Sequence, residues 1–317
     1  MKRRALVFCF LVTTLSACGP STEPTDTEPT EQEPLPPPDQ VIMVDEAHNN
    51  GHRLNGTFSV FAELASSLGY TVIPSRTPFS RDSLDRGRIL TIANALHARN
   101  AGGDWSLPTP SAFTSQEIQV VRDWVEAGGS LLLIADHMPF PGAAEDLAAA
   151  FGVRFNNGFA FDTLRLRAPV TCLRGNQIQV FRRSDGSLRD HVITNGRNAA
   201  ERVDSIATFT GQAFEPDTLT DQLMVFGPSA VSLMPEVAWS FPSGTPRISV
   251  DGWPQGAVRR YGEGRIAFFG EAAMFTEQVC GSDNSLMGMN APQASQNAQF
   301  ALNLIRWLGG SFRTEDG

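Results

Sequence analysis

Two apolar runs in this chain end in a carboxylate followed by a histidine. Val41–Val44 leads into Asp45-Glu46-Ala47-His48-Asn49-Asn50, and Leu131–Ala135 leads into Asp136-His137. Carboxylates beside imidazoles fit three chemistries. They can hold a divalent metal such as Zn²⁺ or Mn²⁺, with an open water position for hydrolysis. An Asp–His pair can act as a general base and its orienter. Polar side chains of this kind can also hydrogen-bond a sugar without catalysis. The metal set expected from the first chemistry is Asp45, His48, Asp136 and His137; the ligand-binding candidates are these four with Asn49 and Glu271. Structural roles stand beside all three, because an Asp that closes a strand often caps the next helix or ties down a loop. His52 and His97 fall on loops and His191 reads as a turn residue, so they carry less weight.

These residues need elements to hold them. Val41–Val44 is a short apolar strand, and Phe58, Phe61, Ala62, Ala65 and Leu68 then recur at helical spacing before Gly69, a natural helix stop. Tyr70–Ile73 reads as a second strand closed by Pro74, and Arg88–Ala93 as a third. Thr114-Ser115-Gln116-Glu117 is a capping box. It opens a helix with Ile118, Val121, Trp124 and Val125 on one face, ended by Gly128-Gly129. Ser130–Ala135 is the fourth strand and Ala143–Phe151 the next helix. Strands and helices in this alternation predict a doubly wound, mostly parallel α/β sheet flanked by helices. Such sheets bind ligands outside the carboxyl ends of their strands, where both Asp/His pairs fall.

Further along, Ile178–Arg182, Val203–Phe209, Ala257–Tyr261 and Arg265–Phe269 read as strands, the last two joined as a hairpin by Gly262-Glu263-Gly264. A final helix is expected from about Gln293 to Leu308, stopped by Gly309-Gly310. Two long stretches, His97–Phe113 and Glu215–Pro254, carry no clear pattern; loops of that length are functional or hide missed elements. Trp105, in the first, reads as a loop anchor, with a binding platform as the alternative. No internal repeat is present, so a single α/β domain over residues 41–310 with a short tail (311–317) is expected.

The first residues have another purpose. Lys2-Arg3-Arg4 is a basic start, Ala5–Thr14 is apolar, and Leu15-Ser16-Ala17-Cys18 closes the segment. This resembles a bacterial lipoprotein signal, which implies cleavage after Ala17 and a lipid on Cys18. Gly19 follows, where an Asp would favour inner-membrane retention, so the expected address is the cell envelope, at the outer membrane in a Gram-negative source. Residues 18–40 are rich in Ser, Thr, Glu and Pro, a composition that cannot bury enough surface to offset ordering; they read as an extended spacer.

The whole chain of 317 residues has a net charge of −9. Loss of the three basic residues of the signal takes this to −12, and the six linker carboxylates leave −6 on the domain. With no run of Lys or Arg interleaved with aromatics, nucleic acid is a poor partner. Of the four cysteines, Cys9 leaves with the signal and Cys18 takes the lipid. Cys172 and Cys280 remain as an even pair in an oxidising compartment, so a disulfide between them is expected.

Gly128–His137, with a helix on either side, resembles the class I glutamine amidotransferase-like fold. More specifically it is similar to the non-amidotransferase branch of unknown function found in gliding-motility GldG proteins and beside some unsaturated glycuronyl hydrolases. Val44–Asn50, Leu147–Asn156, His191–Gly196, Gly264–Glu271 and Asn297–Leu308 carry the rest of the likeness. The resemblance implies that a nucleophilic cysteine would follow the strand Ser130–Ala135 and a His-x-Glu pair the last core strand. Here those places read Asp136-His137 and Gly270-Glu271-Ala272. Without thiol and base, a cysteine-dependent glutaminase is excluded, and no Gly-x-Ser-x-Gly elbow offers a serine instead. The expectation is a binding or accessory module, with carbohydrate suggested by the glycuronyl hydrolase company. The rivals are a metal-assisted hydrolase and, from the GldG likeness alone, a scaffold component of an envelope complex.

Overall fold

The computed structural model describes residues 36–312 apart from 171, 173–176, 216–217 and 282–283. The expected signal, Cys18 and the linker up to Leu35 lie outside the described residues. The chain runs β1 (Val41–Asp45), α1 (Ser59–Ser67), β2 (Thr71–Ser75), α2 (Arg81–Leu84), β3 (Ile89–Ala93), α3 (Ala98–Ala101), α4 (Ser115–Glu126), β4 (Ser130–Ile134) and α5 (Phe140–Ala149). It continues through β5 (Phe159–Asp162), β6 (Gln179–Arg182), α6 (Val192–Asn195), β7 (Ser205–Thr208), β8 (Asp221–Val225), β9 (Ala230–Leu233) and β10 (Arg247–Ser249). It closes with β11 (Pro254–Tyr261), β12 (Gly264–Phe269), β13 (Glu277–Cys280), β14 (Ser285–Gly288) and α7 (Asn297–Leu308).

Seven strands form the central sheet in the order β2-β1-β3-β4-β12-β11-β8. The first five are parallel, and β11 and β8 join antiparallel at one end. The expected doubly wound α/β sheet is therefore present, and the expected hairpin is β11–β12. Strands β1 and β4 are buried along their whole length because both faces are covered. Their side chains alternate between two cores. Val41, Met43, Leu131 and Leu133 pack with Val121 and Trp124 of α4 and Leu147 of α5. Ile42, Val44, Leu132 and Ile134 pack with Phe61 of α1 and Phe300 and Leu304 of α7. The order of the strands reverses between β1 and β3, the kind of switch point where such sheets open a crevice.

Several boundaries differ from the sequence reading for identifiable reasons. Strand β2 runs through Pro74 to Ser75, because β2 is the sheet edge and a missing N–H on the outer side costs nothing. Helix α5 starts at Phe140, with Pro141 in its first turn, where its N–H would have no partner in any case. Helix α7 starts at Asn297, after a separate 3-10 turn at Pro292–Ala294. The stretch Glu215–Pro254 is not a loop; it contains β8, β9 and β10. Strands β10, β9 and β5 make a small antiparallel sheet, and β6–β7 and β13–β14 make two-stranded ones. These additions bring side chains to the carboxyl edge of the main sheet.

Candidate functional site

The carboxyl ends of the parallel strands separate the candidate residues into two groups. Asp45 ends β1, Asn94 follows β3, Asp136 follows β4 and Glu271 follows β12. Phe269 pairs with Ile134, so Glu271 and Asp136 each lie two residues beyond that pair, side by side on adjacent strands. Asp45 belongs elsewhere. Val44 pairs with Thr91 while Ile134 pairs with Ala93, which sets Asp45 two strands away and three residues deeper. Strand spacing and rise make that about 10 Å in each direction.

The Asp45 group is a closed structural network. His48 Nδ1 donates to both Asp45 carboxylate oxygens at 2.9 Å, and its Nε2 donates to Glu117 Oε1 at 2.9 Å. Asn50 Nδ2 donates to Asp45 Oδ2 at 2.9 Å. Glu117 also accepts from the Phe79 N–H and from the backbone and hydroxyl of Thr114, completing the predicted capping box. Phe79 and Phe113 lie against the imidazole, with ring centroids 4.6 and 4.7 Å away. Burial opposes the imidazolium, but hydrogen bonds and charge from Asp45, then from Glu117, outweigh it and raise the His48 pKa. Burial likewise opposes the Glu117 carboxylate; its Thr114, His48 and Phe79 donors outweigh that and lower its pKa. Both ring nitrogens are occupied, so His48 has no lone pair for a metal. Asn49 sits outside at φ 49° and ties its side chain to the Leu96 carbonyl.

The expected metal set is thus corrected. Asp45 and His48 turn to each other, Asp136 and His137 belong to a different place, and no group of three or more His, Cys, Asp or Glu residues among the described residues could hold a metal ion.

The second group lines a cavity of about 400 Å³ at the sheet edge. Asp136 accepts from the Asn94 side chain and from the His137 and Ala272 amides. Glu271 is fully buried and accepts from the amides of Ala273, Met274 and Phe209. Burial pushes Asp136 up to about 8. Burial, then the neighbouring Asp136 charge, raises Glu271 as well. Two buried carboxyls abreast cannot both ionise cheaply, so the pair retains a proton at neutral pH.

His137 stands beside them among aromatic rings. It stacks on Phe159 at 4.7 Å and meets Trp239 edge-on at 4.6 Å. Its Nδ1 lies 2.7 Å from the Met138 carbonyl, which can only accept, so Nδ1 carries the proton. Burial lowers the ring's pKa to about 4, and the neutral form leaves Nε2 as a bare acceptor. Trp105 forms another wall, with Nε1 donating to the Asn100 carbonyl and its ring against Phe140 at 5.6 Å. Trp105 is therefore anchored, as the sequence reading favoured, and its ring lines the cavity.

The sequence reading missed Trp239, Phe209, Thr210 and Gln278, which also line the cavity. Only the length of Glu215–Pro254 pointed toward Trp239. That residue holds φ at 67°, a left-handed conformation unusual for a bulky side chain. Its ring is kept there by contacts with His137, Phe159 and Phe241. The Cys172–Cys280 disulfide is formed, with Cα atoms 5.3 Å apart, and both cysteines line the same cavity. His52 lines it too, while His97 and His191 cap the short helices α3 and α6.

Comparison with known proteins leaves the fold as the shared property. No protein-family model and no curated relative matches the chain. Among solved structures, the mmIFT52 N-terminal domain is similar at 12% identity and a TM-score of 0.59, over 86% of this chain and 99% of that one. A ThuA-like protein from Bacteroides uniformis is similar at 10% identity and a TM-score of 0.43, over 86% and 91%. A GMP synthase component from Thermoplasma acidophilum is similar at 12% identity and a TM-score of 0.41, over 86% and 95%. The first likeness shows a common α/β fold and nothing finer, because sites are grafted on folds. The class defined here is an α/β domain of this kind whose strand-end carboxyls face an aromatic-walled cavity.

Proposed function

We propose that this protein is a lipid-anchored binding module of the cell envelope that takes a saccharide in the cavity at the carboxyl edge of its sheet. The observation that carries this reading is the pairing of aromatic and polar walls. Trp105 and Trp239 present rings, and Asp136 and His137 present hydrogen-bonding atoms within the same 400 Å³, with Glu271 buried beside Asp136. A pyranose has an apolar face of C–H groups and an equatorial belt of hydroxyls, so it suits a stacking ring on one side and acceptors on another. The volume suits one or two sugar units. Exposed Leu107 and Val237, each two residues along the chain from a cavity tryptophan, add apolar side chains to that part of the surface.

The reading is tested on the full chain in detergent by titrating a panel of neutral oligosaccharides and following tryptophan fluorescence. A saturable change with Kd in the micromolar to millimolar range is expected. Trp239→Ala should weaken it at least about tenfold, near 1.4 kcal/mol, with the circular dichroism spectrum intact. Unchanged affinity in Trp239→Ala would remove the cavity from the account. The anchor is tested separately: Cys18→Ala should abolish incorporation of a labelled fatty acid and release the protein from the membrane fraction. Persistent lipid labelling of that variant would overturn the anchoring at Cys18.

A further inference from the structure

The cavity's hydrogen-bonding inventory narrows what it can take. Asp136, Glu271 and His137 share its polar wall with His52 and the neutral side chains of Asn94, Thr210 and Gln278, and no Lys or Arg lines it among the described residues. His137 is 8% exposed, and its Nε2 has no hydrogen-bond partner among the described residues. With Nδ1–H committed to the Met138 carbonyl, Nε2 offers a lone pair to whatever enters. The carboxyls are two potential negative charges with no protein cation to balance them. The remaining walls near His137 are the π faces and edges of Trp105, Trp239 and Phe140.

Two carboxyls with no cation beside them, a bare imidazole nitrogen and aromatic rings together favour one chemical group. A primary ammonium has three N–H donors and no acceptor. It makes charge-assisted bonds to carboxylates and lies favourably over tryptophan faces. An anionic group, such as a uronate or a phosphate, would meet two carboxyls and no cation.

We propose that the ligand of this cavity carries a primary amine, held as ammonium by Asp136 and His137 Nε2, with the buried Glu271 acting through its coupling to Asp136. This deepens the saccharide reading and rests on it: the expected ligand is an amino sugar with its nitrogen free rather than acetylated. The proton balance is explicit. The free site holds a proton on the carboxyl pair; the incoming ammonium takes over its role, and that proton passes to the buffer. Affinity therefore rises with pH as the pair gives up its proton, until the amine itself becomes neutral.

The test is calorimetric titration of the full chain with three tetrasaccharides: tetraglucosamine, tetra-N-acetylglucosamine and cellotetraose. It is run at 150 mM salt in two buffers of different ionisation enthalpy. The expected result is at least tenfold tighter binding of tetraglucosamine than of the other two, with close to one proton released per site. Asp136→Asn should erase the preference for tetraglucosamine over cellotetraose, whatever it does to the affinity common to both; Glu271→Gln serves if the first variant does not fold. Equal affinity for all three sugars would overturn the amine proposal and leave the saccharide reading standing. A preference for tetraglucosamine that survives both substitutions would assign it to the acidic surface and overturn the proposal too. No binding of any of the three would remove both readings.

Discussion

Replacing Cys172 and Cys280 together by serine is expected to lower the stability of the domain by about 3–5 kcal/mol. The bond joins residues 108 positions apart. In the chain-entropy account a loop of that size restricts the unfolded ensemble by about 4–5 kcal/mol. For a domain of this size the loss corresponds to a fall in melting temperature of roughly 10 °C. The location adds a functional consequence. Cys172 and Cys280 line the cavity together with Gln278 and Met287 of the β13–β14 hairpin, so the bond ties the hairpin to the cavity wall. Of its other side chains, Val279 and Leu286 are exposed. Saccharide affinity should therefore fall in the double variant while the far-ultraviolet spectrum stays that of the wild type. Thermal melts with and without dithiothreitol check this: reduced wild type should match the double serine variant, and a shift below about 2 °C would show that the bond constrains little.

Removing the His48 imidazole should cost a comparable amount. His48→Ala leaves Asp45 and Glu117 buried without their shared donor, and breaking a buried charge pair on one side costs about 3–5 kcal/mol. The network also gives stability a defined pH dependence. The folded pKa of His48 is raised, so its contribution is complete below the unfolded value of 6.5 and is lost as pH rises through the folded value. The folded pKa of Glu117 is lowered, so its contribution is present above the unfolded value of 4.5 and is lost as pH falls through the folded value. The two overlap fully between about 4.5 and 6.5, where the difference between wild type and His48→Ala should be largest. Urea denaturation at pH 5.5 and pH 9 measures it. A difference that is flat across that range would mean that His48 is neutral in the folded protein and that the packing of Phe79 and Phe113 alone sets the cost.

The elements that were legible share a property: their signal is local. The capping box Thr114–Glu117, the alternation of apolar positions on α4 and α7, and the continuous apolar runs of β1 and β4 each report burial through spacing alone. Strands β8, β9 and β10 gave no such signal. They are short and partly exposed, with mixed burial patterns, and most of their pairing partners lie far away in sequence. Short β segments of that kind owe their conformation to the neighbours they pair with. Trp239 was hidden for the same reason: a left-handed tryptophan after a short strand is specified by the rings around it, not by adjacent residues.

The candidate site divides along the same line. The sequence alone placed Asp45 and Asp136 at strand ends of one sheet, offered Glu271 as a further candidate, and left Cys172 and Cys280 to pair, because strand ends and cysteine parity can be read from residue order. It could not decide which of those carboxylates meet. That depended on strand order and register: β4 and β12, far apart in the chain, are neighbours, whereas β3 stands between β1 and β4. Two motifs that look alike in the sequence thereby became a sealed ion network at Asp45–His48 and an open pocket at Asp136–His137. Tertiary packing made the distinction, because Glu117 and two phenylalanines close over the first imidazole, while the additions after α5 leave a space in front of the second.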